Sequence, residues 1–588
     1  MNNNTLLELS LPRTLDIWVA QFEQVQWRGA TVEGWLFEGI AARRAAEQRL
    51  AQAGVQARLR CAYKPLLHFF LEEIDCRTLA AVTIRYPVHP QAAPGRFLLE
   101  AYPLAALLSD CPLEFLAGSD DLHYQLTLML RDGSTMQAKV FAPNRSDLDP
   151  TGATLLSPTG WLRASLPADA APRQDSACQT NYEQVFERIV QSVAQHNWPA
   201  QEPLFERLDI RVDLPGFEQA LPLPDECLSS YETLHEDIYF SLLEVFQQRS
   251  GRPASDRRLQ PGQIVPDVRA SDATTRLCIT LRPFDVAAQD AIMPARPGVS
   301  QGLDAITHAP EPQRIAAEMN AMGGQRFFAL SRQGRKVAGL YHAGAGPAVL
   351  ISGGQHANET SGVVGALRAA QTLLASGKPH FALIALENPD GYALHRELCA
   401  VHPHHMHHAA RYSALGDDIE YREQAPLYER AVREQAVSLC DAQLHINLHG
   451  YPAHEWTRPL SGYVPRGFGL WTIPKGFFLI LRHRAGWQSE GRALLEAVSA
   501  AVSQVPGLVA FNARQMALYQ QHAGALPFEV LHGCACAQSE TTHRGPPVTL
   551  ITEFPDETID GVGFRFAHEV QMHAALAAQR AWLPLARP

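Results

Sequence analysis

Gly353-Gly354-Gln355-His356-Ala357-Asn358-Glu359 follows the apolar run Ala348-Val349-Leu350-Ile351. The run reads as a buried strand. His356 and Glu359 then leave its end together, three positions apart. Neutral imidazole and carboxylate both suit Zn²⁺. The two glycines let the backbone turn where a β-branched residue resists. Open α/β sheets bind ligands at the carboxyl ends of their strands, which is where this pair falls. In a chain with 24 His such a pair also arises by chance, so its meaning comes from context.

Two later runs supply that context. Ala442-Gln443-Leu444-His445-Ile446-Asn447-Leu448 alternates and closes on His449-Gly450-Tyr451-Pro452. Val548-Thr549-Leu550-Ile551-Thr552 closes on Glu553-Phe554-Pro555. A catalytic zinc takes three protein ligands, an open position for water, and a carboxylate to handle that water's proton. His356, Glu359 and His449 are the candidate ligands of one Zn²⁺ ion, and Glu553 the candidate proton shuttle.

In this order the residues resemble the zinc metallocarboxypeptidases, the carboxypeptidase A-like family. Three further stretches carry the resemblance. Ser331-Arg332-Gln333-Gly334-Arg335 is similar to the family's S-x-x-G-R hairpin. Asn388-Pro389-Asp390-Gly391 is similar to its N-P-D-G turn, and Gly416-Asp417-Asp418-Ile419-Glu420-Tyr421-Arg422 stands where the family has G-x-D-x-N-R. The match covers about residues 313 to 588. It implies a mixed β-sheet sandwiched by helices and a zinc-dependent, proteolytic hydrolase. A bacterial-type member, or one like the cytosolic carboxypeptidases with an extra N-terminal region, fits the length.

The departures concern substrate. The family's Asn-Arg pair grips a terminal carboxylate, a task for which the guanidinium fork is suited. Here Glu420 and Tyr421 stand in those places. Arg422 comes one position late, and Arg411 lies nearby. Either is a candidate substitute; otherwise the enzyme cleaves an amide without reading a C-terminal carboxylate. By resemblance Arg411 is the candidate donor to the oxyanion. Tyr519 is a candidate for the tyrosine that closes the pocket, and Asp390 for a carboxylate that orients a ligand His.

Two other readings stand beside the peptidase. Gly-Gln-His-Ala-Asn-Glu-Thr also resembles the succinylglutamate desuccinylase and aspartoacylase type of zinc deacylase, which acts on N-acyl amino acids. A metal-dead scaffold is expected to have lost one of the four site residues, and all four are present. The expected partner is a peptide or an amidated small molecule.

The 588 residues are expected to form two to four domains. With 46% hydrophobic and 19% charged residues, large cores are available and disorder is not expected. The net charge of −11 comes without a basic stripe, which argues against nucleic acid. No apolar run reaches membrane-spanning length, and the first residues lack the features of a signal peptide. Ten scattered Cys, with no CxxC, read as free thiols of a cytoplasmic protein.

Residues 1–165 read as a β-rich α+β unit, with a hairpin about Asp132-Gly133 and a helix within 39–53. A linker about Pro167–Pro172 follows. Residues 176–284 read as an α+β accessory unit, with helices over 181–196 and 229–248 and strands at 208–212 and 277–281. In the second helix His235-Glu236 reads as a surface pair. Prolines between 285 and 312 mark the approach to the catalytic unit, 313–588. The tract His402-Pro403-His404-His405-Met406-His407-His408 invites a second metal, but reads first as a loop lining the pocket.

Overall fold

The computed structural model describes residues 4–587, apart from 120, 150, 254–255, 273, 292–301 and 378–379. Its largest sheet has nine strands: β1 (Gln325–Leu330), β2 (Lys336–His342), β3 (Val349–Gly353), β4 (Phe381–Ile384), β5 (Leu444–Pro452), β6 (Phe478–His483), β7 (Glu529–Leu531), β8 (Cys534–Glu540) and β9 (Val548–Glu557). Their spatial order is β1-β2-β4-β3-β5-β9-β6-β8-β7. The four central strands β4, β3, β5 and β9 are parallel; the pairs β1/β2, β2/β4, β9/β6 and β7/β8 are antiparallel.

Alternation along these strands splits the core in two. Val349 and Ile351 of β3 pack with the helices Ser361–Ala375, Gln488–Val502 and Gly561–Trp582. Leu350, between them in sequence, faces the helix Ala431–Cys440 on the other side. Both faces are covered, which accounts for the near-continuous apolar runs of the central strands. The expected class, α/β with a mixed sheet between helices, is the one observed.

The front half is α+β. One four-stranded sheet joins Thr5–Leu11 to Thr275–Arg282, then Arg207–Leu214 and Gln263–Ala270. Thus the first strand pairs with the last strand of the accessory unit. The hairpin at Asp132-Gly133 is formed, by His123–Leu130 and Thr135–Phe141, with Gly133 at φ +87°. All ten cysteines are free. Among the described residues, no helix is long and apolar enough to cross a membrane.

One helix ties the halves together. Ser230–Arg249 is buried from Ser230 through Gln247, on every face. The expected surface pair His235-Glu236 is therefore inside: Glu236 is 0% exposed and meets the His408 ring. Charged residues are compatible with this because the partners come from residues 400–461. His454 pairs with Glu232 at 3.0 Å, the Leu460 and Ser461 amides donate to Asp237, and Arg458 pairs with Glu244. Nearby, buried Lys64 pairs with Glu455 at 2.9 Å.

This seam sets an expected result for limited proteolysis. Cleavage of the proline-bearing segment 285–312, part of which lies outside the described residues, leaves the two fragments associated on a sizing column. Elution as two independent species contradicts the seam.

Candidate metal centre

Adjacent parallel strands bring the four candidate residues together. The turn Gly353-Gly354, with Gly354 at φ +63°, leads off β3 into His356 and Glu359. A Cβ on Gly353 would lie 2.9 Å from the Gly362 carbonyl oxygen, so the helix that follows can close on the strand only over glycine. His449 and Glu553 lie within β5 and β9, three and four residues before those strands end, and face each other in register. The strands extend past the ends expected from sequence because their ladder continues to Pro452 and Glu557.

The donor atoms converge. His356 Nδ1 lies 2.8 Å from Glu359 Oε1, and His449 Nδ1 lies 2.8 Å from Glu359 Oε2. The two Nδ1 atoms are 3.1 Å apart. All three residues are buried, and their ligating atoms lie within 4.8 Å of one another. Two imidazole nitrogens aimed at each other beside a carboxylate form a nest that a cation satisfies. The donor set therefore fits a metal ion, and two His with one Glu is a set that zinc accepts.

The surroundings orient these ligands. His356 Nε2 faces Asp418 Oδ2 at 3.4 Å, and Gln355 donates to the other Asp418 oxygen at 3.0 Å. Burial opposes the Asp418 charge, yet His356 and Arg257 hold its carboxyl below the usual range. Asp418 thus takes the place expected of Asp390. Asp390 instead accepts from Ser331 Oγ at 2.7 Å, the Gln333 amide at 2.9 Å and Arg335 at 3.1 Å, and pins the Ser331–Arg335 hairpin. On the other side, Gln571 donates to the His449 carbonyl at 2.7 Å.

Glu553 is 8% exposed and lines the cleft. Burial, and next the Glu359 charge, push its carboxyl well above the ordinary range, while Arg411 and Lys475 pull it back. Arg411 donates to Glu359 Oε1 and lines the same cleft, which has a volume of about 130 Å³. Tyr421 and Glu420 also line it, with Glu420 held by Arg433.

Arg422 and Tyr519 lie outside the lining. The Arg422 guanidinium is buried and spent on Asp417, Glu429, Ser413 Oγ and the Leu427 carbonyl. Tyr519 packs against Leu99, Tyr102, Tyr463 and Ile473. Of the His tract, His408 reaches the cleft. His402 and His405 turn toward the accessory unit, where their donor atoms and one of Glu218 also lie within 4.8 Å. Those two rings stack at 4.4 Å and 3°, so their in-plane lone pairs do not point at a common ion.

Two cleft residues, Arg257 and Arg482, and one buried lysine behind the cleft wall carry no signal in the sequence. Arg257 comes from the accessory unit, 3.7 Å from Asp418 and over the rings of Phe468 (5.0 Å) and Tyr421 (5.9 Å). Arg482 comes from β6. Lys475 is buried 4.3 Å from the ring centroids of both Tyr451 and Trp471, and burial pushes its amine down to about 7 against the pull of Glu553. None sits in a motif; each is placed by a loop or strand with no recognisable spacing.

No family model matches the chain, and no curated protein matches it. Among solved structures it is similar to a metallo-carboxypeptidase from Burkholderia cenocepacia, at 15% identity over 54% of this chain and 77% of that one, with a TM-score of 0.29. It is similar also to a metallo-carboxypeptidase from Pseudomonas aeruginosa in complex with (2-guanidinoethylmercapto)succinic acid, at 14% identity over 54% and 73%, TM-score 0.29. Bovine thrombin-activatable fibrinolysis inhibitor in complex with tick carboxypeptidase inhibitor matches at 11% identity over 48% and 99%, TM-score 0.28. At this level of likeness the chemistry rests on the site's own geometry.

Proposed function

We propose that the chain is a zinc-dependent hydrolase of peptide or amide bonds, metallocarboxypeptidase-like, with His356, Glu359 and His449 as ligands of one ion. The observation that carries this reading is the meeting of two Nδ1 atoms and a carboxylate in one buried nest, with Glu553 in register beside His449. When bound, zinc supplies a Lewis-acid charge and acidifies water to a pKa of about 7. Glu553 takes the proton of the attacking water on its carboxylate and returns it to the leaving amine. Arg411 donates to the negative oxygen that develops on the carbonyl. Arg257, Trp456 and Phe468 form the wall against which substrate lies.

A second reading, a deacylase acting on an N-acyl amino acid, is favoured by one observation. Arg422 is spent internally, so the expected carboxylate clamp has no Arg of its own loop besides Arg411. Assay of the zinc form with a free-acid peptide and its C-terminal amide separates the two. Preference for the acid that is lost in Arg411→Ala or Arg257→Ala identifies the clamp and the exopeptidase. Equal cleavage of acid and amide sinks the exopeptidase and leaves the deacylase or amidase. Arg411→Ala itself should cost about 2–5 kcal/mol in kcat/KM, the usual loss of a charge-assisted partner.

A further inference from the structure

Arg482 lines two spaces at once. One is the metal cleft; the other is a cavity of about 200 Å³ on the far side of Glu420 and Thr549, which line both. The second cavity also receives Arg430, Arg433, Arg544, His445, His543 and Glu434. Its volume is several times the roughly 30 Å³ of a water molecule, room enough for a side chain.

The charges around it do not balance. Arg433 is spent on Glu387 and Glu420, which accounts for the one carboxylate at the mouth. His445 bonds Ser352 Oγ at 2.7 Å, and burial holds its ring well below the ordinary His range, hence neutral. Arg430, Arg482 and Arg544 remain, and among the described residues none of them is in an ion pair. The side chain of Arg430 has only a 3.4 Å contact with the Arg544 carbonyl. Burial, and then Arg433, hold Arg430 below its ordinary value. Exposed Glu434 is the remaining acid. Most guanidiniums lining the metal cleft have a carboxylate partner, Arg411 with Glu359 and Arg257 with Asp418. Arg544 is exposed, whereas Arg430 and Arg482 are half-buried; partly desolvated cations without a partner are costly, and a guanidinium fork is shaped for a carboxylate.

Position ties this charge to the reaction. On β6, Phe478 is the register partner of Glu553 and Arg482 the partner of Thr549. Four residues of strand separate them by about 13 Å, a gap that the long Arg482 side chain and an acidic side chain of the substrate span together.

Resting on the hydrolase reading above, we infer that this cavity is a carboxylate subsite, and that the enzyme prefers an acidic residue beside the bond it cuts. The test uses the full-length protein. Zinc-loaded wild type should cleave peptides with Glu next to the scissile bond at least about tenfold better, in kcat/KM, than matched Gln peptides. Arg482→Gln should bring the ratio to about one, and Arg482→Glu should turn preference toward Lys. Arg430→Gln should lower the ratio in the same direction. A Glu-to-Gln ratio that is unchanged in Arg482→Glu overturns the subsite.

A binding arm keeps this separate from the fate of the hydrolase reading. Glu553→Gln protein is titrated calorimetrically with N-acetylglutamate, N-acetylglutamine and inorganic phosphate. Tighter binding of N-acetylglutamate, lost on adding Arg482→Gln, upholds the subsite even if no peptide is cleaved. Equal binding of the two N-acetyl compounds overturns it. Phosphate binding more tightly than N-acetylglutamate overturns the carboxylate assignment.

Discussion

Glu553→Gln should keep its metal and lose roughly 10²–10⁴-fold in kcat, the usual contribution of a positioned acid–base group. Glutamine is nearly isosteric with glutamate but accepts no proton at neutral pH. The carboxyl has little structural work to lose: among the described residues its side chain makes no hydrogen bond or ion pair, although it is 8% exposed. It stands in register with His449, so it faces the metal nest without bonding a ligand. Burial and the Glu359 charge tend to neutralise it; a cation held by His356, Glu359 and His449 opposes that tendency and favours the ionised base. Elemental analysis and steady-state kinetics check both halves. One metal per chain with kcat near wild type removes Glu553 from the chemistry. Loss of the metal along with activity makes it a fourth support of the site instead.

The candidate metal site is legible in the sequence because its parts are local. His356 and Glu359 share one turn, while His449 and Glu553 each sit on an apolar run long enough to read as a strand. Parallel pairing then aligns the three segments. Asp390 was misplaced for the opposite reason: a short turn motif says nothing of which neighbour its carboxylate meets, and here that neighbour is the Ser331–Arg335 hairpin. Arg257 and Arg482 carry no local signal at all, since one arrives from the accessory unit and the other from a mid-sheet strand. The largest discrepancy is the helix Ser230–Arg249. His235-Glu236 reads as a surface pair, and the burial of this helix's charged residues is invisible until their partners, more than 150 residues on, are in place. Hydrophobic periodicity reports water contact only when the polar face meets water; here that face meets a loop of opposite charge.

That seam carries the second large expected effect. Glu244→Leu should destabilise the protein by about 3–5 kcal/mol, because removing one partner of a buried pair strands the other. Arg458 is 1% exposed. Its Nη1 and Nη2 reach the two Glu244 oxygens at 2.6 and 3.0 Å, and its Nε donates to Ser461 Oγ at 2.7 Å. Arg466, 3.2 Å from Glu244, loses the same partner. The side chains lie on opposite halves: Glu244 on the accessory helix, Arg458 in the loop between β5 and β6. That loop also carries Trp456, Phe468 and Trp471 into the cleft wall. The variant should therefore melt earlier and also raise KM more than it lowers kcat, since Glu553, His449 and the turn that bears His356 and Glu359 all lie outside the loop. Glu244→Leu combined with Arg458→Met should recover much of the lost stability, as replacing both members of a buried pair by apolar groups often does. A thermal melt of the single variant that overlays wild type would show that the seam does not hold the halves together. A melt that falls with KM unchanged would show that it holds them without shaping the cleft.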